Sequence, residues 1–185
     1  PLGAEQLFKK LSPSVLMVGV WNGSGELVGT GSGVAISKSL ILTNFHVVGG
    51  RDYIRVKNDR LDERATIHWS DSGGDMCVLR VGGNRLVPVD KTRSWSDIRI
   101  GEKVYSLGSP SGYENTFSEG IVSGIRILEG RKFIQTDAGI FPGSSGGGLF
   151  DAEGHLIGIT SNYEKGTTLG FAIPIDSFSA ALRGN

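Results

Sequence analysis

The stretch Phe141-Pro142-Gly143-Ser144-Ser145-Gly146-Gly147-Gly148 sets a serine among glycines, between two apolar runs. Neighbours without side chains leave a hydroxyl at Ser145 unobstructed. Their main-chain N–H groups can also converge on one point, which is what stabilisation of an oxyanion requires. Ser145 is therefore a candidate nucleophile. The plain alternative is a glycine-rich turn between two strands.

A second enzyme class competes for the same residues, because Gly143-x-Ser145-x-Gly147 fits the nucleophile elbow of the α/β-hydrolases. Chain order separates the two. An elbow serine precedes its acid and its histidine, whereas the only histidine downstream is His155, too soon after Ser145 for strands and helices to intervene. Most of the chain lies upstream, and its alternating patterns leave no helices between strands.

At 185 residues the chain can bury about 70% of its extended surface, enough for one domain or two small subdomains sharing a core. Lysine plus arginine and aspartate plus glutamate both number 19, so the formal net charge is zero. That balance offers no electrostatic case for nucleic acid or an anionic membrane as partner. No apolar run is long enough to span a bilayer, and these residues contain no signal peptide. Cys77 stands alone, which excludes an intrachain disulfide. Pro1-Leu2-Gly3 reads as a remnant of tag removal and is set aside.

The 29 glycines are about twice the usual share and lie between short β-branched runs, which implies many turns and an all-β chain. Glu5-Leu11 is an amphipathic helix closed by Ser12-Pro13. Period-two alternation then predicts strands over Ser14-Trp21, Gly29-Ser37, Leu40-Thr43, Tyr53-Lys57, Arg64-Trp69 and Met76-Val81. After a polar connection at Asp90-Asp97 a second set follows, at Glu102-Gly108, Phe117-Ile127, Lys132-Thr136, Gly148-Phe150, His155-Thr160 and Leu169-Pro174. Two sets of six suggest two similar closed units, a closure that removes exposed sheet edges. Asp176-Leu182 reads as a terminal helix with Asp176 as its cap.

His46 falls just past the apolar strand Leu40-Thr43, where a side chain is held rigidly yet reaches a cleft. Asp75 opens the run Asp75-Met76-Cys77-Val78-Leu79, a carboxylate at the mouth of a buried strand. Alone, His46 could be structural and Asp75 a turn residue after Gly73-Gly74. Their occurrence with Ser145, in the order His, Asp, Ser, raises all three, because a triad is defined by roles that must occur together.

Five blocks carry a family resemblance: Gly31-Ser32-Gly33-Val34, Leu42-Thr43-Asn44-Phe45-His46-Val47-Val48, Asp75-Met76-Cys77-Val78-Leu79, Gln135-Thr136-Asp137-Ala138 with Pro142-Gly143-Ser144-Ser145-Gly146-Gly147, and Gly170-Phe171-Ala172-Ile173-Pro174. Together they resemble the HtrA serine proteases of the trypsin-like superfamily. The resemblance implies two six-stranded antiparallel β-barrels in one protease domain over 1–185, the first over about 12–95 and the second over about 96–175. It implies a serine endopeptidase cleaving unfolded or misfolded polypeptides, with His46 as general base, Asp75 as its orienter and Ser145 as nucleophile. The backbone N–H groups of Gly143 and Ser145 would form the oxyanion hole. Neither a cofactor nor a metal is expected, since His68 and His155 lack ligand spacing. A homotrimer and a periplasmic or otherwise extracytoplasmic location follow from the resemblance alone.

The superfamily builds its primary pocket from residues before the serine and from a following strand. Here these are Gly139-Ile140-Phe141, Ser161-Asn162-Tyr163 and the stretch near Leu169-Gly170-Phe171. With no acid at the pocket floor and Ile140 narrowing it, small or medium aliphatic P1 side chains are expected.

Departures from the family pattern are Ser144, where asparagine is usual, and Gly148, where proline or alanine is usual. Both are small changes, and Ser144 can still hydrogen-bond locally, so neither reads as inactivating. The digestive trypsins have an aspartate at the Ser144 position that pairs with a new N-terminus; its absence argues against activation by processing and leaves Phe141-Pro142-Gly143 as the lever for any switching. HtrA proteins commonly carry PDZ domains after the protease domain, so either the chain is truncated or this member lacks them. A second functional reading is a peptide-binding or chaperone-like module with an intact but resting site, its oxyanion hole collapsed. Cys77 is expected to be buried as a small apolar residue on the same strand face as Asp75. The Glu5-Leu11 helix could pack on a neighbouring subunit or on its own barrel.

Overall fold

The computed structural model describes residues 2–50, 53–112, 115–163 and 169–182, and only the main chain at 162 and 163. Twelve strands are present among the described residues: β1 Val15–Trp21, β2 Leu27–Ala35, β3 Leu40–Thr43, β4 Tyr53–Lys57, β5 Asp62–Asp71, β6 Met76–Val81, β7 Lys103–Gly108, β8 Thr116–Leu128, β9 Arg131–Thr136, β10 Gly148–Asp151, β11 Leu156–Tyr163 and β12 Gly170–Pro174. They close into two antiparallel six-stranded barrels, β1-β2-β3-β6-β5-β4 and β7-β8-β9-β12-β11-β10. The two barrels have the same strand order.

Alternation along the strands explains how two barrels share one core. In β3 and β6, Ile41, Cys77, Leu79 and Val81 fill the first barrel, while Leu40, Leu42, Met76 and Val78 point the other way. That second set meets Tyr105, Leu107, Phe150, Ile159 and Ile173 of the second barrel. A period of two thus supplies an interior and an inter-barrel seam from the same strands. The second barrel's own interior contains Val104, Val122, Ile134, Leu149, Ile157 and Ala172.

Helix α1, Ala4–Leu11, docks on its own chain: Leu7 and Leu11 are buried in the seam core, and the Phe8 ring lies 5.6 Å from that of Phe117. Between the two alternatives left open by the sequence, this contact is the one present. The C-terminal segment differs from the single helix expected. A 3₁₀ turn, Ile175–Phe178, precedes a short helix, Ser179–Leu182. Asp176 does not cap it; its carboxylate instead accepts the Trp95 N–H at 2.9 Å and the Ser94 hydroxyl at 2.7 Å, tying the chain end to the inter-barrel connection.

Candidate active site

His46 and Asp75 come from the first barrel and Ser145 from the second, and all three meet at the seam. His46 lies not in a loop but in a four-residue helix, Phe45–Val48, that follows β3 directly. Asn44 precedes it with extended backbone, and Gly49 ends it at φ 55, the left-handed conformation that glycine tolerates. The fully buried Asn44 side chain donates to the Asp75 carbonyl at 3.3 Å, joining the histidine helix to the aspartate turn. That anchoring residue was within the LTNFHVV block, but nothing in the sequence distinguished its role.

Asp75 itself has φ 55 and precedes β6, so the strand alternation does not run through it. The expectation that Asp75 and Cys77 share a strand face is therefore corrected. The turn before Asp75 is held by Asp71, which accepts the Gly74 N–H at 3.1 Å and an Arg131 N–H at 3.2 Å from the second barrel. Cys77 is fully buried, and burial pushes its thiol up to about 12, so it is inert packing.

Three donors converge on the Asp75 carboxylate: the His46 ring Nδ1 at 2.7 Å, the His46 main-chain N–H at 2.8 Å and the Ser161 hydroxyl at 2.9 Å. Burial alone would raise the Asp75 pKa. These hydrogen bonds outweigh it and hold the carboxyl below its ordinary value. The hydrogen bond to Asp75 raises His46 above 6.5, against partial desolvation and with help from the carboxylate's charge. A carboxylate on Nδ1 leaves Nε2 as the working nitrogen of the neutral ring.

The Ser145 hydroxyl donates to the Ser161 carbonyl oxygen at 2.5 Å. Among the described residues it makes no hydrogen bond to the His46 ring. Ser161 was expected to line the specificity pocket; here its hydroxyl holds Asp75 and its carbonyl holds Ser145. The reason is a β-bulge: Thr160 pairs with Ala172 and Asn162 with Phe171, so Ser161 is the extra residue and its side chain is re-aimed.

Around the serine, the loop is pinned plane by plane. Ser32 donates its hydroxyl to the Gly143 carbonyl at 2.9 Å and its N–H to the Ser145 carbonyl at 2.7 Å, while Thr160 donates its hydroxyl to the Ser144 carbonyl at 3.2 Å. The Ser144 N–H closes a turn onto the Phe141 carbonyl at 2.9 Å. Among the described residues, neither the Gly143 nor the Ser145 N–H is engaged, and Gly143 has φ 84. Ser144 does not use its capacity to hydrogen-bond locally: its hydroxyl is buried without a partner among the described residues, packed against Gly108. Of the expected pocket residues, Ile140 is nearly buried and Phe141 is 48% exposed. The side chains of Asn162 and Tyr163 lie outside the described residues. A hollow of about 170 Å³ beside His46 is lined by Val20, Val28 and Gly29.

Two barrels with histidine, aspartate and serine at their seam define a serine endopeptidase. The trypsin-like peptidase domain matches residues 31–159, and the chain belongs to that family as an HtrA-type domain. It is 44% identical over 164 residues to a probable periplasmic serine endoprotease DegP-like of Hahella chejuensis, covering 83% of this chain and 35% of that protein. A protein of the same description from Pseudomonas savastanoi is 38% identical over 192 residues, covering 95% and 39%. Protease Do-like 1, chloroplastic, of Arabidopsis thaliana is 38% identical over 165 residues, covering 80% and 37%. The chain thus spans little more than a third of the length of these relatives.

Proposed function

We propose that this domain cleaves polypeptides by acyl transfer through Ser145. Asp75 holds the His46 Nδ1–H, Nε2 takes the Ser145 proton, and the hydroxyl oxygen bonds to a peptide carbonyl carbon. The carbonyl electron pair moves onto its oxygen, where the N–H groups of Gly143 and Ser145 receive it. The intermediate then collapses, His46 gives its proton to the leaving amine, and water repeats the sequence to free the acyl group. One oxyanion donor is worth about 3 kcal/mol of barrier. The observation that supports this most is the chain of contacts joining the three residues, His46 Nδ1 and the Ser161 hydroxyl on the Asp75 carboxylate and the Ser145 hydroxyl on the Ser161 carbonyl, beside two N–H groups with no partner among the described residues.

Unfolded or misfolded chains are the proposed substrates, with a small or medium aliphatic P1 residue beside Ile140. The relatives named periplasmic favour an extracytoplasmic site of action. Homotrimeric assembly belongs to the same proposed reading, and light scattering tests it.

One observation favours the resting-module alternative: Ser145 points its hydrogen to Ser161 and not to His46. The active state of the proposed mechanism needs that hydroxyl turned from the Ser161 carbonyl to His46. The Pro142–Gly143 peptide, whose N–H has no partner among the described residues, is the plane left free to turn. Casein digestion by wild type beside Ser145→Ala, with fluorophosphonate labelling, decides. Cleavage that survives in the alanine variant eliminates the acyl-transfer reading. An unlabelled wild type supports the resting module.

A further inference from the structure

Ser32 lies in β2 of the first barrel and is fully buried, yet every polar group it has is spent on or beside the nucleophile loop of the second barrel. Its hydroxyl donates to the Gly143 carbonyl at 2.9 Å and accepts the Ser109 N–H at 2.8 Å. Its N–H donates to the Ser145 carbonyl at 2.7 Å, and its own carbonyl accepts the Thr43 hydroxyl at 2.7 Å. The approach is closed on both sides. A Cβ on Gly31 would lie 2.9 Å from the Ser145 carbonyl oxygen, and one on Gly146 would collide with the Ser32 carbonyl oxygen.

We propose that Ser32 is a positioning residue: a latch through which the first barrel sets the shape of the oxyanion loop. A peptide unit is planar, so fixing the Gly143 carbonyl fixes the plane that begins at Gly143, and fixing the Ser145 carbonyl fixes the plane that follows the nucleophile. The Gly143 N–H lies in the preceding Pro142–Gly143 plane, which can turn against the held Gly143 carbonyl only through the two torsions of that one residue, and the Ser145 N–H lies in the plane whose Ser144 carbonyl Thr160 holds, bounded on its far side by the held Ser145 carbonyl. The hydroxyl matters because it is held from both ends. The Ser109 N–H occupies one of the oxygen's two lone pairs while the hydrogen is directed to the Gly143 carbonyl. Alanine at 32 leaves the part-buried Gly143 carbonyl and the buried Ser109 N–H without the hydroxyl they share, which favours a shift of the loop.

This inference rests on the acyl-transfer reading of Ser145, and the test separates the two. Wild type, Ser32→Ala, Ser32→Thr and Ser32→Cys are compared in peptide hydrolysis, with the active fraction counted by fluorophosphonate titration. Affinity for a peptidyl boronate, which mimics the tetrahedral intermediate, and melting temperature are measured alongside. Per active site, Ser32→Ala lowers kcat by about 10- to 100-fold with KM within about twofold, and weakens boronate binding by a similar factor. Threonine, which keeps the hydroxyl, recovers most of the loss. Cysteine, with a weaker donor, falls between and keeps the test open if alanine does not fold. A Ser32→Ala enzyme with wild-type kcat per active site overturns the latch alone, as does a loss confined to KM or to melting temperature. A wild type that neither cleaves nor labels at Ser145 overturns the reading beneath it, and the latch with it.

Discussion

The Ser161 hydroxyl of the second barrel donates to the Asp75 carboxylate of the first at 2.9 Å, so that carboxylate is held from across the seam. Ser161→Ala removes one of three donors on that carboxylate and leaves the Ser161 carbonyl, hence the Ser145 contact, in place. We expect kcat to fall about tenfold, matching the ~1.5 kcal/mol carried by a hydrogen bond to a charged group. Steady-state peptide hydrolysis checks this, and an unchanged kcat would remove Ser161 from the machinery.

In the proposed mechanism activity requires neutral His46, whose pKa is raised above 6.5 by Asp75. The rate should therefore rise with pH along a limb whose midpoint lies above 6.5. Asp75→Asn removes the cause of the shift, so the limb moves to lower pH while kcat drops by about 10⁴ from loss of the correct tautomer. A pH–rate profile in which the limb stays where it was would assign it to another group.

Stability should follow the opposite course. His46 has a raised pKa in the fold, so its contribution is complete below 6.5 and is lost as pH rises through the folded-state value. Asp75 has a lowered one, so its contribution is present above 3.8 and is lost as pH falls through its folded-state value. The pair contributes most when both are charged, which is the inactive protonation state. The melting-temperature difference between wild type and Asp75→Asn should be larger at pH 5.5 than at pH 9; an equal difference at both would contradict the linkage.

Gly146 has φ 92, and a Cβ there would overlap the Ser32 carbonyl oxygen and crowd the Thr43 hydroxyl. Gly146→Ala combines left-handed strain with a clash against backbone. It should cost about 3 kcal/mol or more and lower the urea midpoint accordingly. A midpoint within error of wild type would mean that the loop moves freely from β2.

Ser144→Ala should be silent or stabilising. The hydroxyl is buried without a partner among the described residues, so alanine loses no protein hydrogen bond and removes a buried polar atom. We expect stability within about 1 kcal/mol of wild type or above it, with kcat retained because the Ser144 N–H still closes its turn on Phe141. A tenfold loss of kcat would show that the hydroxyl acts during turnover.

The strands were legible because β3 and β6 are short, nearly continuous apolar runs bounded by turn signals, the pattern of strands buried on both faces. His46, Asp75 and Ser145 were legible because each sits beside such a run with glycines or a polar stop next to it. The helix around His46 was not, since four residues have no periodicity to read. Nor was the left-handed backbone at Asp75, which follows from the Asp71 and Arg131 contacts around its turn. The bulge at Ser161 was hidden for the same reason: one extra residue opposite Ala172 and Phe171 shows only in the pairing.

The amino-acid order alone determined the all-β class, the two sets of six strands and the identity of three chemically competent side chains, because these depend on local alternation and on residue type. Tertiary structure alone decided that Asp75 receives three donors, that Ser145 rests on Ser161 and that Ser32 holds the loop from the opposite barrel. Each of those joins residues far apart in the chain. Distances between them are set by how two closed barrels pack against one seam, and no local pattern encodes that packing.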